Sequence, residues 1–368
     1  MKSDHKKILY AASTASHLRR FHQPYIEALK EEAEVKTMAT GEGVDLPVLF
    51  DKHFFSFANL RSILKIRKIL KRERFDTVLV HTTLAAFLIR AAMIGQRNRP
   101  YVMNVVHGYL FPKDAKGLKN RILLLCEKLL RRQTDAIAVM NADDLDIAKE
   151  HRLCRGEVYF INGMGITIDP TIPAVDTALR AQYATDENDV LCTFVGELSG
   201  RKNQSFLIRA VARLRGEGVP IRLLLAGDGG ERETLEREIS QNHLENTVFL
   251  LGNREPILPY LSITDLYISA SVSEGLPFNV MEAMSCGLPV VASDTKGQSD
   301  LLENTEGRLY PLDDMDSFCA ALREEIETGR LGVGSRSYPN LAQYRLNAVF
   351  DENMRRFKHS IDRGGDAS

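Results

Sequence analysis

An excess of charge of either sign is missing from this sequence. Across 368 residues, 48 lysines and arginines stand against 49 aspartates and glutamates. That balance excludes a whole-chain attraction to nucleic acid and leaves only local basic patches. Paired cysteines are missing too. Cys126, Cys154, Cys192, Cys286 and Cys319 stand singly, with no C-x-x-C, which argues against a disulfide framework or a cysteine zinc site and fits a reducing compartment. No window approaches roughly 18 uninterrupted apolar residues, so no membrane-spanning helix is expected. The opening MKSDHKKILYAAS has only a short apolar run after its charges and reads as a first strand, not a signal peptide.

What is present is an alternation. KKILYAAS, DTVLVHTT, PYVMNVVHG and DAIAVMN are short apolar runs, and helical spacing fills the stretches near 19–33, 59–74, 84–95, 117–133 and 142–152. The second half repeats the scheme with DVLCTFVG, IRLLLAGDG, NTVFLLG, DLYISAS and LPVVAS. Apolar strands alternating with helices predict parallel sheets covered on both faces. A chain this long exceeds one hydrophobic core, and the aperiodic, Gly/Pro-rich stretch 163–173 suits a linker. The expectation is α/β: two facing, doubly wound Rossmann-like domains, 1–165 and 166–340, with a cleft between them. A C-terminal segment, 341–368, is expected to send a helix (about 341–360) back across the first domain and to end in a polar tail. In such sheets ligands bind beyond the carboxyl ends of the strands.

Chemistry concentrates at those ends. SVSEGLPFNVMEAMSCGLPVVAS (271–293) places Glu274 just past a strand, Gly275 and Pro277 in a turn, and Glu282 in the second turn of a helix expected over 278–285. Gly275 would permit an unusual backbone angle and Pro277 would stiffen the turn. Two carboxylates so placed can accept hydrogen bonds from two polyols, a sugar and a ribose. TFVGELSGRKNQ puts Gly196 at a strand end and Arg201-Lys202 before a helix, where two cations can hold a diphosphate. AGDGG, with Gly227, is a strand-to-helix turn that lacks the full dinucleotide fingerprint. Arg254 follows a further strand, and VVHGYLFP sets His107 at another strand end. Asp144-x-Asp146 and Asp314-x-Asp316 read D-x-D, a metal–diphosphate pattern elsewhere, but both sit at helix starts, where aspartate commonly caps.

The arrangement E-x-G-x-P-x-x-x-E, followed by C-G-L-P-V-V-A-S, resembles the family-four retaining glycosyltransferases, which have the GT-B architecture. The resemblance implies Glu274 near a donor sugar, Glu282 on the nucleotide ribose, and the turn Gly275, Leu276, Pro277 and Phe278 against the donor. It implies Gly196, Arg201 and Lys202 at the diphosphate, Gly227 near the nucleotide, Arg254 at the base and His107 beside the sugar. Glu197 stands where the family carries an arginine, and Arg201 is the candidate replacement. After the first strand, Ser13, Ser16 and His17 replace the family's glycine-rich turn, and Ser16 and His17 are taken as donor-side residues. S-H…F-H-x-P-Y, H-G-Y and E-K-L-L-R-R-Q-T-D resemble the bacterial branch that builds capsular and exopolysaccharide units. That implies retaining hexosyl transfer from a nucleotide-sugar, a UDP-sugar in most relatives, to a glycan or polyprenyl-diphosphate-linked acceptor. No metal and no cofactor are implied. The rival readings are a sugar-nucleotide 2-epimerase, a catalytically silent partner subunit and, more distantly, a dinucleotide-dependent dehydrogenase.

Two basic amphipathic segments, 61–75 and 116–132, could lie on an anionic membrane face, or be sheet-covering helices with solvated lysines. The aromatic run HFFSF (53–57) is a candidate lipid contact or core. The expected location is cytoplasmic, peripheral to the inner membrane face.

Overall fold

The computed structural model describes residues 6–52, 54, 56–114, 116–167 and 173–366. The chain divides into two compact units: everything through Ile166 together with Gln343–Ser368, and Thr167–Ala342. The division falls within the expected linker, whose residues 168–172 lie outside the described ones.

In the first unit the order is β1 (Lys7–Thr14), α1 (Ala15–Phe21), α2 (Gln23–Lys30), β2 (Glu34–Thr40), β3 (Leu46–Pro47), α3 (Phe57–Glu73), β4 (Thr77–His81), α4 (Thr83–Ala92), β5 (Tyr101–Val106), α5 (Leu118–Leu130), β6 (Ala136–Val139), α6 (Ala142–Glu150) and β7 (Val158–Phe160). The sheet runs β3-β2-β1-β4-β5-β6-β7, with every pairing parallel. β4 and β6 are buried along their whole length, as strands covered on both faces must be. Strand order reverses between β1 and β4, so the ligand-binding crevice of this sheet lies beyond Thr14 and His81. Thr14 begins α1 by accepting a hydrogen bond from the His17 backbone N–H at 3.3 Å, which satisfies an otherwise orphaned donor.

The second unit runs α7 (Thr177–Arg180), β8 (Val190–Val195), α8 (Gln204–Gly216), β9 (Ile221–Ala226), α9 (Arg232–Gln241), β10 (Val248–Gly252), α10 (Leu258–Ser262), β11 (Leu266–Ser269), α11 (Phe278–Ser285), β12 (Val290–Ser293), α12 (Gln298–Leu302), β13 (Arg308–Tyr310) and α13 (Met315–Glu327). Its parallel sheet is ordered β10-β9-β8-β11-β12-β13. The reversal lies between β8 and β11. Phe194, Leu207, Leu223, Ile268 and Phe318 are among the residues of its core.

α14 (Leu346–Asp366) then belongs to the first unit. It begins later than expected because Pro339–Tyr344 forms a 3-10 turn. Asn353 Nδ2 fixes it by donating to the Gly163 carbonyl at 2.9 Å and to Tyr25 Oη at 3.1 Å, and Phe357 sets its ring edge-on to Tyr10 and His81. Among the described residues no helix is long and apolar enough to cross a membrane.

Candidate functional site

Both switch points carry polar clusters. In the second unit, the chain leaving β8 passes through Gly196 to Arg201 and Lys202 before α8, and the chain leaving β11 passes through Glu274 before α11. Lys202 Nζ donates to Glu274 Oε1 at 2.6 Å, and Arg201 Nη1 donates to Glu274 Oε2 at 2.9 Å and to the Ser273 carbonyl at 2.8 Å. The Val272 N–H donates to the Arg201 carbonyl at 2.9 Å, which joins the two loops through backbone. Lys202 is 7% and Glu274 8% exposed, whereas the Arg201 side chain is 45% exposed. Burial opposes the charge on Glu274, but Lys202 and then Arg201 outweigh it and hold the carboxyl below its ordinary value. Burial also pulls Lys202 below the ordinary lysine value, and Glu274 opposes that fall. One carboxylate therefore holds two cations.

The surrounding frame is tightly specified. Asn279 Nδ2 donates to the Val195 carbonyl at 2.6 Å, and the Val195 N–H donates to Tyr267 Oη at 3.2 Å, tying the end of β8 to the start of α11. Gln204 Nε2 donates to the Glu197 carbonyl at 2.9 Å and bridges the loop that carries Arg201 and Lys202. Gly227 stands where a Cβ would come within 1.9 Å of the Gly196 carbonyl oxygen, at φ +143°, so the β8 and β9 loops pack too closely for any side chain there.

Sequence expectation needs one correction at the next turn. Gly275 does not take a positive φ; the left-handed glycine here is Gly297, at φ +80°. A Cβ on Gly297 would lie 2.8 Å from the Gly275 oxygen and 2.9 Å from that of Glu274. The positive φ lies in the neighbouring loop after β12, and the missing Cβ there lets that loop approach the turn. Leu276 and Pro277 are buried, Phe278 is half-buried at the head of α11, and Glu282 is half-buried in that helix's second turn. α11 spans Phe278–Ser285, the bounds expected. Arg254 is exposed after β10 and lies over the Tyr260 ring, 5.4 Å from its centroid. Glu197, at the position where the resemblance leads to an expected arginine, is exposed.

In the first unit, the strand ends gather histidines. His17 comes from α1, His22 from the junction of α1 and α2, His81 from the end of β4, and His107 from just past β5. Their ring centroids lie 4.1 Å (His22–His81), 5.0 Å (His17–His22, His17–His107) and 5.6 Å (His81–His107) apart. His22 and His81 are fully buried; His17 and His107 are partly exposed. Burial pushes the His17 pKa down to about 4. Burial, helped by the neighbouring histidines, pushes the other three well below the ordinary histidine value. Ser16 is exposed beside Thr14, and Ser13 Oγ lies 2.6 Å from Thr82 Oγ1 across the β1–β4 crevice. Thr82 has φ +67°, a strained conformation for a β-branched residue. The sequence alone points to His17 and His107 but not to His81, and it shows His22 only as part of a motif. Nothing in the linear spacing of 17, 22, 81 and 107 signals that they meet.

Residues 175–333 match the family model "Glycosyl transferases group 1", and residues 10–161 match "Glycosyl transferase 4-like domain". The chain belongs to the glycosyltransferases. It is of the family-four type in the GT-B class. EpsD of Bacillus subtilis (strain 168), named for a glycosyltransferase, is 29% identical over 87% of each chain. A galactosyltransferase of Escherichia coli, named for UDP-Gal and a GlcNAc-diphosphoundecaprenol, is 25% identical over 79% of this chain and 76% of its own. Anabaena HepE, solved with UDP and glucose, has a similar fold: TM-score 0.73, 20% identity, 96% of this chain and 100% of that one.

The D-x-D pairs of this glycosyltransferase have structural partners. Asp314 caps α13 by accepting from the Ser317 N–H at 3.0 Å. Asp144, expected to cap, does not: Asn141 caps α6, and buried Asp144 accepts from Asn141 Nδ2 at 2.8 Å and from the Tyr109 N–H at 3.3 Å. Of the run 53–57, residues 53 and 55 lie outside the described residues; Phe54 packs on Phe87 at 4.4 Å, and Phe57 is 85% exposed.

Proposed function

We propose that this glycosyltransferase moves a hexosyl group, with retention, from a UDP-sugar to a polyprenyl-diphosphate-linked glycan during surface polysaccharide synthesis. The observation that carries this reading is the placement of Lys202 and Arg201 on Glu274 at the β8/β11 switch point. As the bond from sugar to diphosphate breaks, negative charge grows on the leaving oxygen, and two adjacent cations with fixed partners lower that cost. Glu274, relieved of part of its cation load by the diphosphate, can accept from sugar hydroxyls. Glu282, one helical turn into α11, is assigned to the ribose, and Arg254 to the base. The family resemblance assigns His107 to the sugar. The printed names and titles of relatives support the acceptor class and the uridine donor: an undecaprenyl-diphosphate acceptor in the Escherichia coli enzyme, UDP in the HepE complex. No metal enters this reading of the donor site.

A cytoplasmic, membrane-peripheral location is part of the proposal, and α5 supports it. Leu118, Ile122, Leu125 and Leu129 form one stripe down the helix, and all are exposed, while Glu127 on another face is buried. A helix that packs Leu123, Leu124 and Leu130 inward and still carries a second, exposed apolar stripe can meet an apolar surface with that stripe, and Lys119, Arg121, Lys128, Arg131 and Arg132 around it suit anionic headgroups. Phe57, Leu60 and Leu64 on α3 are exposed in the same way.

The deciding experiment is calorimetric binding of UDP, GDP and ADP in EDTA, with wild type and Glu282→Ala. Loss of a charged acceptor from ribose costs about 1.5–3 kcal/mol, roughly 10- to 150-fold in affinity. UDP binding weakened by that much supports the donor site. Absence of binding by all three nucleotides, or indifference to Glu282, would move the silent-partner reading to first place.

A further inference from the structure

We propose that His17, His22 and His107 form a binding site for a transition-metal dication of the zinc type. It goes beyond the donor reading, with which it shares His17 and His107, while the nucleotide itself is assigned to the other unit and its binding is tested in EDTA.

The first observation is convergence. One ring nitrogen from each of the three lies within 4.8 Å of the other two. Zinc–nitrogen bonds of about 2.0–2.1 Å put tetrahedral ligands roughly 3.4 Å apart. Closing that gap takes modest rotation of His17 and His107, the two partly exposed rings, around the fixed, fully buried His22. The same partial exposure gives an ion a way in.

The second observation is unmet hydrogen bonding. Nε2 of His17, of His22 and of His81 is each shut off from solvent with no hydrogen-bond partner among the described residues. A buried polar atom left without a partner is costly, and the two on the proposed ligands His17 and His22 call for an occupant.

The third is an outer partner already in place. Tyr10 Oη lies 3.0 Å from His22 Nδ1. With the proton on Nδ1 and donated to Tyr10, Nε2 presents its lone pair to the cluster, the arrangement by which an outer hydrogen bond orients a metal-bound imidazole. His81 Nδ1, 3.4 Å from His107 Nε2, plays a similar part for His107. Three nitrogens leave a fourth position for water or an anionic oxygen, and the metal would tie α1, the α1–α2 junction and the end of β5 together. The sequence gives no hint of this metal, because its only metal-like spacing is that of the D-x-D pairs.

The test uses full-length protein carrying no polyhistidine tag, stripped with EDTA and dialysed against zinc chloride. One zinc per chain is expected, with visible d–d absorption when cobalt(II) replaces it. The double variant His17→Gln/His22→Gln should lose the ion, and His359→Gln, exposed on α14, should keep it. Tyr10→Phe should weaken zinc affinity by about 10- to 100-fold, the usual cost of removing an outer partner. Substoichiometric zinc in the wild type, featureless cobalt spectra, or equal uptake by the double variant overturns the proposal. The cobalt spectrum is read on wild type, so its outcome stands even where a variant misfolds.

Discussion

Lys202 Nζ lies 2.6 Å from Glu274 Oε1, and both side chains are nearly sealed from solvent. Arg201 occupies the second oxygen of the same carboxylate. The cations proposed to receive a diphosphate are therefore partly neutralised before it arrives. Glu274→Gln should separate the two duties of this carboxylate. At an effective dielectric of about 20, a charge 4 Å away is worth about 4 kcal/mol before solvent screening. Releasing even part of that should tighten UDP binding by about 10-fold. Transfer should fall, on the order of 100-fold, through loss of charged contact with the reacting sugar. Calorimetry and initial rates on the same preparation read the two effects. Weaker UDP binding would show that Glu274 organises the cations and does not restrain them.

Gly227→Ala tests the close packing of the β8 and β9 loops. The added methyl would meet the Gly196 carbonyl at 1.9 Å, from a φ that L-residues rarely adopt. One loop must move, at a cost of about 1–3 kcal/mol, and the urea midpoint should drop accordingly. Gly230→Ala, three residues on with open space around its Cβ, should change it little. Equal midpoints for the two variants would mean that the loops yield freely.

Much of the donor side is legible in the sequence because its signals are local. Glu274, Gly196, Arg201 and Lys202 each adjoin a strand that reads as apolar and a helix that reads as periodic, so their place at strand ends follows from pattern alone. α11 is legible to the residue, since Pro277 and Gly287 punctuate it. What escapes is made by long-range contact. The glycine that lets the loop after β12 lie against the Glu274 turn is Gly297, which is 23 positions away. The histidine cluster assembles from α1, the α1–α2 junction and the ends of β4 and β5. The buried Asp144 departs from expectation because Asn141, three residues earlier, takes the capping position that aspartate could have filled.

A buried ion pair helps to anchor α5, beside the buried Leu130. Arg90, with no exposed surface, makes two 2.9 Å hydrogen bonds to the two oxygens of Glu127, and also donates to the Ala86 carbonyl and Thr134. Glu127→Ala should strand a buried guanidinium and cost about 3–5 kcal/mol, whereas Arg90→Met/Glu127→Leu should recover most of that, because it also removes the cost of desolvating both charges. Chemical denaturation of both variants measures the difference. A single variant as stable as the double would mean that water reaches Arg90.

The exposed stripe on the same helix carries the membrane prediction. Leu125 and Leu129 are 55% and 66% exposed, so replacing them should leave stability within about 0.5 kcal/mol. Burying a leucine fully in an apolar phase is worth about 1.5–3 kcal/mol. If α5 lies on lipid, Leu125→Glu/Leu129→Glu should therefore reduce sedimentation with anionic vesicles by at least about 10-fold, with an unchanged denaturation midpoint. Charge reversal at Lys119 and Arg121 should weaken the same binding in low salt, and raised salt should erase that difference, since headgroup attraction is screened within about 10 Å at 0.1 M. The leucine effect should survive salt. Vesicle binding that ignores the leucines but tracks the basic residues would place the helix above the headgroups, with its stripe facing something other than lipid. No binding to either anionic or neutral vesicles would remove the membrane from the proposed function and leave the transfer reaction untouched.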